Sequence, residues 1–420
     1  MTKSCHIEIC LNGDWQHVAS LDLRGEPTAG HARTPTHFSY DVDYAFEHLE
    51  CNDSLALSVR LPVDLADHYS PTWPPFLLDL LPTGAGRIRL CQRLGLPTGA
   101  SADWELLRRT GGPPPGNLRI ASSQEASDVL HPGFARQEVV ARGESFIDFC
   151  LQSGYPVGGS SAVQGESPKV LLSEDIRGRF HPSGSLPEGE VKAEWLVKFP
   201  RGRTETDRQI LRAESVYYDI AHRFGCHTGA PLKWEGDCLF VPRFDVWPVA
   251  GKLHRFGLET MASALGKTTF GERVYLEEYV SAIRQFSTSP QDDLLELFRR
   301  DILNVALGNT DNHSRNTSFL KGENSIRLSP LYDFAPMMVD PEWIARACHW
   351  QQHEAGYPAW RQLARTLAGT REEEDMLQAE LTRLMGVVPD LPEWLRAENI
   401  GNLILQRCEE RCQRVMEKLI

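Results

Sequence analysis

A short polar segment, GNTDNHSRN at residues 308–316, concentrates ionisable side chains directly after the apolar run ILNVALG. Asp311 and Asn316 have the D-x-x-x-x-N spacing with which kinases place a catalytic base and a metal ligand. In such a pair the aspartate accepts a proton from the attacking hydroxyl, and the asparagine helps to hold Mg²⁺. Because Asp and Asn are also common turn residues, the spacing alone leaves a plain surface turn as an alternative.

A second acidic residue, Asp333, lies further along the chain in a sequence similar to a kinase metal-binding motif. Asp333 lies in YDFAPMM, after the strand-like SIRLSPL, and precedes a Phe as the metal-binding Asp does in the kinase D-F-G element. Mg²⁺ prefers oxygen ligands and takes only one or two protein groups along with nucleotide phosphates. An acid, an amide and a second acid in this order therefore predict a site for Mg²⁺ and ATP.

A cation for the phosphates is available upstream. Lys198 interrupts the apolar strand EWLVKFP, and burying a Lys is unfavourable unless an anion compensates its charge. Glu214 lies within the amphipathic helical segment ILRAESVYYDIAHRFG. A strand Lys followed by a helix Glu is the arrangement that holds the α- and β-phosphates in kinases. Taken by themselves, the two residues also fit a snorkelling edge-strand Lys and a solvated helix Glu.

A loop that could cover phosphates comes before this strand. Residues 154–169 read GYPVGGSSAVQGESPK and lead into KVLLS. Glycine permits close backbone approach and exposes N–H groups to phosphate oxygens, so Gly165 and Lys169 are candidate ATP contacts. The loop contains neither a Walker A sequence nor the G-x-G-x-x-G of protein kinases. A flexible linker remains an alternative.

These residues must be positioned by a chain of 420 residues, 41% hydrophobic and 24% charged, which is long enough for more than one packed unit. Short alternating segments favour strands early in the chain, and longer periodic segments favour helices later. We expect an N-terminal α+β subdomain at 1–135 and a β-rich core with the Gly/Ser phosphate loop at 136–248. A helical part with the catalytic and metal-binding loops is expected at 249–420.

Charge and hydropathy limit the possible partners. A formal net charge of −13 argues against nucleic-acid binding by the chain as a whole, because phosphate contacts need a basic surface. No uninterrupted apolar run is long enough for a membrane span, and no long apolar run follows the N-terminus. The sequence thus predicts a cytoplasmic protein without a membrane partner.

Together, the motifs resemble those of the HipA-type toxin kinases, the serine/threonine kinase components of bacterial toxin–antitoxin systems. The resemblance extends in family order over most of the chain, through PPFLLDLLPTGAGR, SSAVQGESPK, EWLVKFP, AESVYYDIA, FVPRFD, GNTDNHSRN and LSPLYDFAP. It implies an α+β, two-lobed, protein-kinase-like fold with a β-rich N-terminal subdomain and an all-α C-terminal lobe. ATP and Mg²⁺ are the implied cofactors.

The resemblance also implies roles for the residues of the phosphoryl-transfer site. Asp311 resembles the general base, and Asn316 and Asp333 resemble the Mg²⁺ ligands. Lys198 corresponds to the ATP phosphate contact. His313 is expected to be structural and to orient the loop around Asp311, since a neutral His in a crowded polar loop more often donates a fixing hydrogen bond than reacts.

In the same comparison, FVPRFD corresponds to the connection between the lobes. Backbone groups of Phe240 and Pro242 would contact adenine, and Arg243 and Asp245 would brace the turn.

The Gly/Ser loop departs from the family pattern. Relatives usually carry an autophosphorylated Ser where this chain has Ala162, and a Gln where it has Ser167. Ser160, Ser161 and Ser167 are therefore candidate phosphorylation sites. A phosphoryl group on any of them would add about −1.5 to −2 charges to a loop meant for ATP phosphates, which disfavours nucleotide binding.

The function implied is transfer of the ATP γ-phosphoryl group to a protein Ser or Thr, in an aminoacyl-tRNA synthetase or another translation component, with growth arrest as the result. The implied partner is a HipB-like helix-turn-helix antitoxin, with DNA contacted only through that antitoxin. One alternative is a weak or inactive relative that acts as a binding module in an antitoxin–DNA complex, for which the altered GESPK sequence is the support. Another is a small-molecule phosphotransferase of the aminoglycoside-kinase kind, which shares the D-x-x-x-x-N spacing and the later Asp.

Overall fold

The computed structural model of the protein describes residues 3–109, 115–121, 132–141, 146, 167–202 and 204–420. The chain passes repeatedly between two units. Unit 1 comprises Met1–Arg201, Glu235–Phe270 and Ser318–Ser325, and unit 2 comprises Gly202–Trp234, Gly271–Thr317 and Ile326–Ile420.

Strands form where alternating apolar side chains can cover one face of a sheet. In the described residues they are β1 (Ser4–Leu11), β2 (Asp14–Leu23), β3 (Thr36–Tyr40), β4 (His68–Ser70), β5 (Leu118–Ile120), β6 (Lys169–Asp175), β7 (Phe180–Pro182), β8 (Val191–Lys198), β9 (Lys233–Glu235), β10 (Cys238–Pro242), β11 (Val246–Val249), β12 (Lys252–Arg255), β13 (Gly257–Thr260), β14 (Val274–Tyr275), β15 (Ser318–Gly322), β16 (Ser325–Leu328) and β17 (Cys348–His349).

Helices dominate the later part of the chain. In the described residues they are α1 (Val42–Glu47), α2 (Gly84–Leu94), α3 (Asp103–Arg109), α4 (Arg136–Val140), α5 (Glu205–Phe224), α6 (Met261–Ala264), α7 (Leu276–Phe286), α8 (Pro290–Leu307), α9 (Trp360–Leu367), α10 (Arg371–Val387), α11 (Leu391–Ala397) and α12 (Asn402–Leu419). None of these helices combines the length and the apolar character needed to cross a membrane.

Unit 1 contains two larger sheets. The first has the strand order β4-β3-β2-β1-β5, and its core includes Ile7, Trp73 and Trp104. The second contains the consecutive strands β7-β6-β8-β10, and Phe180 and Phe240 are buried in its core. A shorter antiparallel pair joins β13 to β15.

The periodicity of FLLDLLPTGAGRIRLCQRLG favours a single helix, but the structure divides this segment. A 3-10 helix covers Pro75–Leu80, and α2 begins only at Gly84. Leu81 between them is extended, with ψ of 137°. Pro82 accounts for the break, because proline removes a backbone donor and disfavours helical geometry at the residue before it.

Unit 2 is mostly helical, and α8 lies beside α7, α10 and α12. Pro290 is the first residue of α8, where its missing N–H has no helical partner to lose, and Gly308 ends the helix in the left-handed conformation. Strands β13 and β15 also lie within the range 249–420, in which mainly helices are expected, and both belong to unit 1.

Candidate active site

The polar segment 308–316 begins at the sharp turn that ends α8. Gly308 has φ of +67°, and a Cβ at this position would lie 2.2 Å from the Met338 sulfur. The Met338 N–H donates to the Gly308 carbonyl over 3.0 Å. Glycine is therefore required here both by the backbone conformation and by the close approach of the chain that follows Asp333.

Internal hydrogen bonds give the loop a defined shape. The Asn316 side chain donates from Nδ2 to the Asp311 carbonyl over 2.7 Å, and the Asn316 N–H donates to the His313 carbonyl over 2.8 Å. These bonds fix the amide group of Asn316 relative to the backbone of Asp311. The two residues singled out by spacing are thus in direct contact.

His313 lies inside the same loop and is 9% exposed. Its Nδ1 accepts from the Arg315 N–H at 3.3 Å, and its Nε2 lies 3.7 Å from Asp311 Oδ1. The imidazole therefore contacts the loop backbone on one side and faces the Asp311 carboxylate on the other. The expected role of His313 in orienting the loop around Asp311 stays a prediction.

Asp333 occupies an unusual backbone position, with φ of +54°. Residues on both sides of Asp333 contact other parts of unit 2. The Leu331 N–H donates to the His227 carbonyl over 2.8 Å, and the Phe334 ring packs 5.4 Å from that of Tyr217, between centroids.

Tyr332 lies between Leu331 and Phe334 in the sequence, and its hydroxyl donates to the Arg315 carbonyl over 2.7 Å. The residue before Asp333 is thereby joined to the residue before Asn316. The segment GNTDNHSRN and the segment LSPLYDFAP meet at this hydrogen bond, so the structure brings together the loops that carry the predicted base and metal ligands.

Glu214 lies on α5, where it is buried. Tyr217, one helical turn later, contacts Phe334 as described above. The helix that carries Glu214 therefore packs against the segment that contains Asp333.

The predicted phosphate contacts lie in unit 1. Lys169 and Lys198 are paired residues of the antiparallel strands β6 and β8, so their side chains leave the same face of the sheet. Lys198 is only 4% exposed. Two lysine side chains on one face of a sheet can approach the same anion.

β10 continues the same sheet, with Leu239 opposite Lys198. The Phe240 side chain is buried in the core, so only its backbone could contact a nucleotide. The Arg243 N–H donates to the Glu194 carbonyl of β8 over 3.0 Å. Because alternate residues of an antiparallel strand direct their backbone groups to opposite edges, the Pro242 carbonyl points away from β8. Pro242 has no N–H and can only accept.

Arg243 and Asp245 form a buried pair, with Nη2 and Oδ2 2.5 Å apart. Asp245 also accepts from the Gly116 N–H over 2.7 Å. Burial alone would raise the pKa of Asp245, but the charge and hydrogen bonds of Arg243, with the Gly116 N–H, outweigh it and lower the pKa. The carboxylate is thus charged at neutral pH and braces the end of β10.

Three predicted residues of the Gly/Ser loop, Ser160, Ser161 and Gly165, lie outside the described residues. Ser167 is described and precedes Pro168, whose carbonyl accepts from the Phe199 N–H over 2.8 Å. The base of the loop is therefore joined to the residue after Lys198.

Sequence reasoning did not single out two residues that shape the site. Tyr332 joins the two loops, and the Asn312 side chain donates to the Cys348 carbonyl over 2.7 Å. The sequence feature that could have indicated Tyr332 is that no other residue between Pro330 and Pro336 carries a hydroxyl group. Nothing in the sequence marked Asn312, because its hydrogen-bond partner, Cys348, is distant in sequence.

The donors present suit the expected cation. The Asn316 amide and the Asp333 carboxylate offer oxygen atoms, the ligands that Mg²⁺ prefers. The lysine pair in unit 1 offers ammonium groups for phosphate oxygens.

Comparison with known proteins defines the class. Residues 161–390 match the HipA-like C-terminal domain, and residues 23–121 match the HipA N-terminal domain. The fold is that of HipA from Shewanella oneidensis MR-1, solved as a toxin–antitoxin complex of HipA with HipB and operator DNA. That match has a TM-score of 0.67 and 16% identity, and covers 99% of this chain and 96% of the other.

The chain is thus an α+β protein with the kinase-like fold of HipA. It belongs to the HipA family. Two proteins of Sinorhizobium fredii to which kinase activity is ascribed are similar in sequence. Y4mE is 26% identical over 323 residues, 72% of this chain and 74% of its own length. Y4dM is 25% identical over 344 residues, 75% of this chain and 76% of its own length.

Proposed function

We propose that this chain is an ATP-dependent serine/threonine protein kinase that uses Mg²⁺. The observation that carries the proposal is the hydrogen bond from Tyr332 to the Arg315 carbonyl, which joins the loop of Asp311 and Asn316 to the segment of Asp333. A base, an amide and an acid on two joined loops form the arrangement used for phosphoryl transfer. Membership of the HipA family and the similarity to two relatives of ascribed kinase activity support it.

In the proposed mechanism Asp311 accepts the proton of the attacking hydroxyl, and His313 orients its carboxylate. Asn316 and Asp333 would hold Mg²⁺, which when bound neutralises charge on the phosphates. Positioning and charge neutralisation account for most of the rate enhancement in such a reaction.

On the nucleotide side, Lys198 and Lys169 would contact phosphate oxygens, with Gly165 providing close backbone approach. Glu214 would support the phosphate contacts from α5. Backbone groups of Phe240 and Pro242 would contact adenine, and for Pro242 this is restricted to its carbonyl.

The acceptor that we propose is a Ser or Thr of a protein, in an aminoacyl-tRNA synthetase or another translation component, so that activity arrests growth. Autophosphorylation at Ser160, Ser161 or Ser167 would regulate it, since added charge on the loop disfavours ATP phosphates. The complex described for Shewanella HipA supports a HipB-like antitoxin as partner, with DNA contacted through that antitoxin. The division into 1–135, 136–248 and 249–420 remains our proposal for how these tasks are distributed.

The test is incubation of the purified chain with Mg²⁺ and ATP, followed by mass spectrometry of the phosphopeptides. We expect phosphate within Ser160–Ser167, and a rate that falls by at least about 100-fold in Asp311→Asn, because the general base is lost. Asp375→Asn, at an exposed aspartate of α10, is the matched control and should keep the wild-type rate.

If the wild type incorporates no phosphate and shows no thermal shift with ATP, the kinase proposal fails. The altered GESPK sequence would then favour the binding-module alternative.

A further inference from the structure

An exposed apolar strip lies on the outer side of α1 in unit 1. Val42, Phe46 and Leu49 are 60%, 68% and 50% exposed; Val42 and Phe46 lie one turn apart on α1, and Leu49 follows two residues after the helix ends. The opposite side of α1 is firmly packed. Tyr44 and Ala45 are buried in the core, which fixes the strip in an outward orientation.

A fourth exposed apolar residue lies on a neighbouring segment. Leu65 is 53% exposed. The Glu50 N–H donates to the Val63 carbonyl, and the Val63 N–H donates to the Cys51 carbonyl, each over 2.8 Å. The segment that carries Leu65 therefore runs beside the end of α1. We call Val42, Phe46, Leu49 and Leu65, with the acidic residues around them, the α1 surface.

Acidic residues are interleaved with these apolar ones. Four of them are exposed on and beside α1, and a fifth lies near Leu65; they are Asp41, Asp43, Glu47, Glu50 and Asp67. Arg60 is the only Lys or Arg between residues 41 and 67. The local charge is thus strongly negative around an apolar centre.

This combination narrows the choice of partner. Apolar residues rimmed by polar ones are typical of protein-binding surfaces rather than of a plain solvated face. Negative charge repels nucleic acid and anionic membranes. It also disfavours a symmetric pairing of this surface with itself, because a two-fold axis would bring the same acids together.

We propose that the α1 surface binds a basic amphipathic segment of another protein, whose apolar side chains cover Phe46 and its neighbours and whose Lys or Arg side chains pair with the acidic rim. An amphipathic helix laid on an apolar strip is a common recognition mode, and complementary charge speeds association and selects the partner. The proposal does not depend on phosphoryl transfer.

The experiment uses the full chain and a fluorescent synthetic peptide of about 18 residues, with Leu on one helical face and Lys beside it. Fluorescence anisotropy should show binding that weakens with salt. The double variant Val42→Ser/Phe46→Ser should weaken Kd by at least about tenfold. Glu47→Lys/Glu50→Lys should weaken it comparably and reduce the salt dependence.

Matched variants elsewhere in unit 1 serve as controls. Ile176→Ser changes an apolar residue that is 72% exposed, and Glu190→Lys/Glu323→Lys reverses two exposed acids. Both should bind the peptide as the wild type does. Because every altered side chain is exposed, thermal unfolding of all variants should match the wild type.

Several results would overturn the proposal. These are failure of the wild type to bind the peptide, equal binding of a Leu/Glu peptide, or equal weakening in the control variants. Self-association of the wild type that is abolished by Val42→Ser/Phe46→Ser would also reject it, since a second copy would then be the occupant.

Discussion

Asp333 adopts a backbone conformation that is unfavourable for any residue with a side chain, at φ of +54°. Left-handed geometry costs about 1–2 kcal/mol in a non-glycine residue. Contacts of both neighbours offset this cost, because Tyr332 is bonded to the Arg315 carbonyl and Phe334 is packed on Tyr217. The direction of the Asp333 carboxylate is therefore set by the backbone on either side of it.

Removal of the Tyr332 hydroxyl tests this dependence. In Tyr332→Phe the aromatic ring remains, but the bond to the Arg315 carbonyl is lost, so the two loops are no longer held together. We expect kcat to fall by about threefold to tenfold, as for the loss of one hydrogen bond. The Mg²⁺ concentration for half-maximal activity should rise as well, because Asn316 and Asp333 would be less well placed.

Tyr275→Phe is the control for this prediction, since Tyr275 is exposed and lies in the same unit. A Tyr332→Phe enzyme with wild-type kcat and wild-type Mg²⁺ dependence would show that the hydroxyl does not position the metal ligands.

At the scale of secondary structure, α8 directs the chain into the candidate catalytic loop. Gly308 ends this helix, and Met338 lies where a Cβ would be. In Gly308→Ala we expect destabilisation by about 1–2 kcal/mol from backbone strain and about 1–3 kcal/mol more from overpacking. Chemical denaturation is the measurement.

Two variants separate these effects. Gly95 ends α2 with a similar φ of +64°, and a Cβ there would meet nothing within 4 Å. Gly95→Ala should therefore show the strain without the overpacking. Addition of Met338→Ala to Gly308→Ala should recover part of the lost stability. Equal losses in Gly308→Ala and Gly95→Ala would mean that the approach of Met338 is unimportant.

Glu380 joins three helices through arginines. Arg299 of α8 and Arg383 of α10 donate to its carboxylate, and Arg383 also donates to the Phe224 carbonyl at the end of α5. Burial alone would raise the pKa of Glu380, but the hydrogen bonds from Arg383 and Arg299 outweigh it and lower the pKa to about 2.

A depressed carboxyl pKa stabilises the fold above the unfolded-state pKa of about 4.3, and this contribution is lost as the pH falls towards about 2. Glu380→Gln should therefore lower Tm near pH 7, and its Tm should converge on that of the wild type in acid. Glu393→Gln, at an exposed glutamate of α11, should track the wild type throughout. A constant difference between Glu380→Gln and wild type at all pH values would contradict the assignment.

The sequence predicts those features that depend on local pattern. The amphipathic repeat of ILRAESVYYDIAHRFG predicts the helix that the structure shows as α5, and the polar loop after α8 is marked by its composition. Pairings between distant segments carry no local signal. The bond from Tyr332 to Arg315 and the register that places Lys169 opposite Lys198 depend on tertiary packing, so they could be read only from the structure.

At the scale of the whole chain, the two units are interleaved in sequence. Unit 1 takes its last strands from β13 and β15, which follow residue 248, and these strands contribute a buried ion pair. Glu259 Oε2 lies 3.3 Å from Lys321 Nζ, and both side chains are almost fully buried. Both residues of the pair form hydrogen bonds with the N-terminal part of the same unit.

The contacts of that pair are specific. The Ser58 hydroxyl donates to Glu259 over 2.6 Å and the Val59 N–H over 2.8 Å, while Lys321 donates to the Ala56 carbonyl over 3.0 Å. Lys321→Ala in the full chain would leave Glu259 as an unpaired buried charge, which costs about 3–5 kcal/mol. We expect a clear fall in Tm, measured by calorimetry.

A fragment of residues 1–248 should be destabilised even more than the Lys321→Ala variant. It lacks both Glu259 and Lys321, so the polar groups of Ser58, Val59 and Ala56 lose their buried partners, and the strands that cover them are absent. The fragment also loses buried apolar side chains such as Phe319, and the core side chains that they cover become exposed to water. We therefore expect the fragment to unfold without a cooperative transition in circular dichroism or calorimetry. The full chain should unfold cooperatively under the same conditions. A sharp transition in the fragment would show instead that the N-terminal sheets fold without β13 and β15, and that the buried pair only adds stability to a structure already formed.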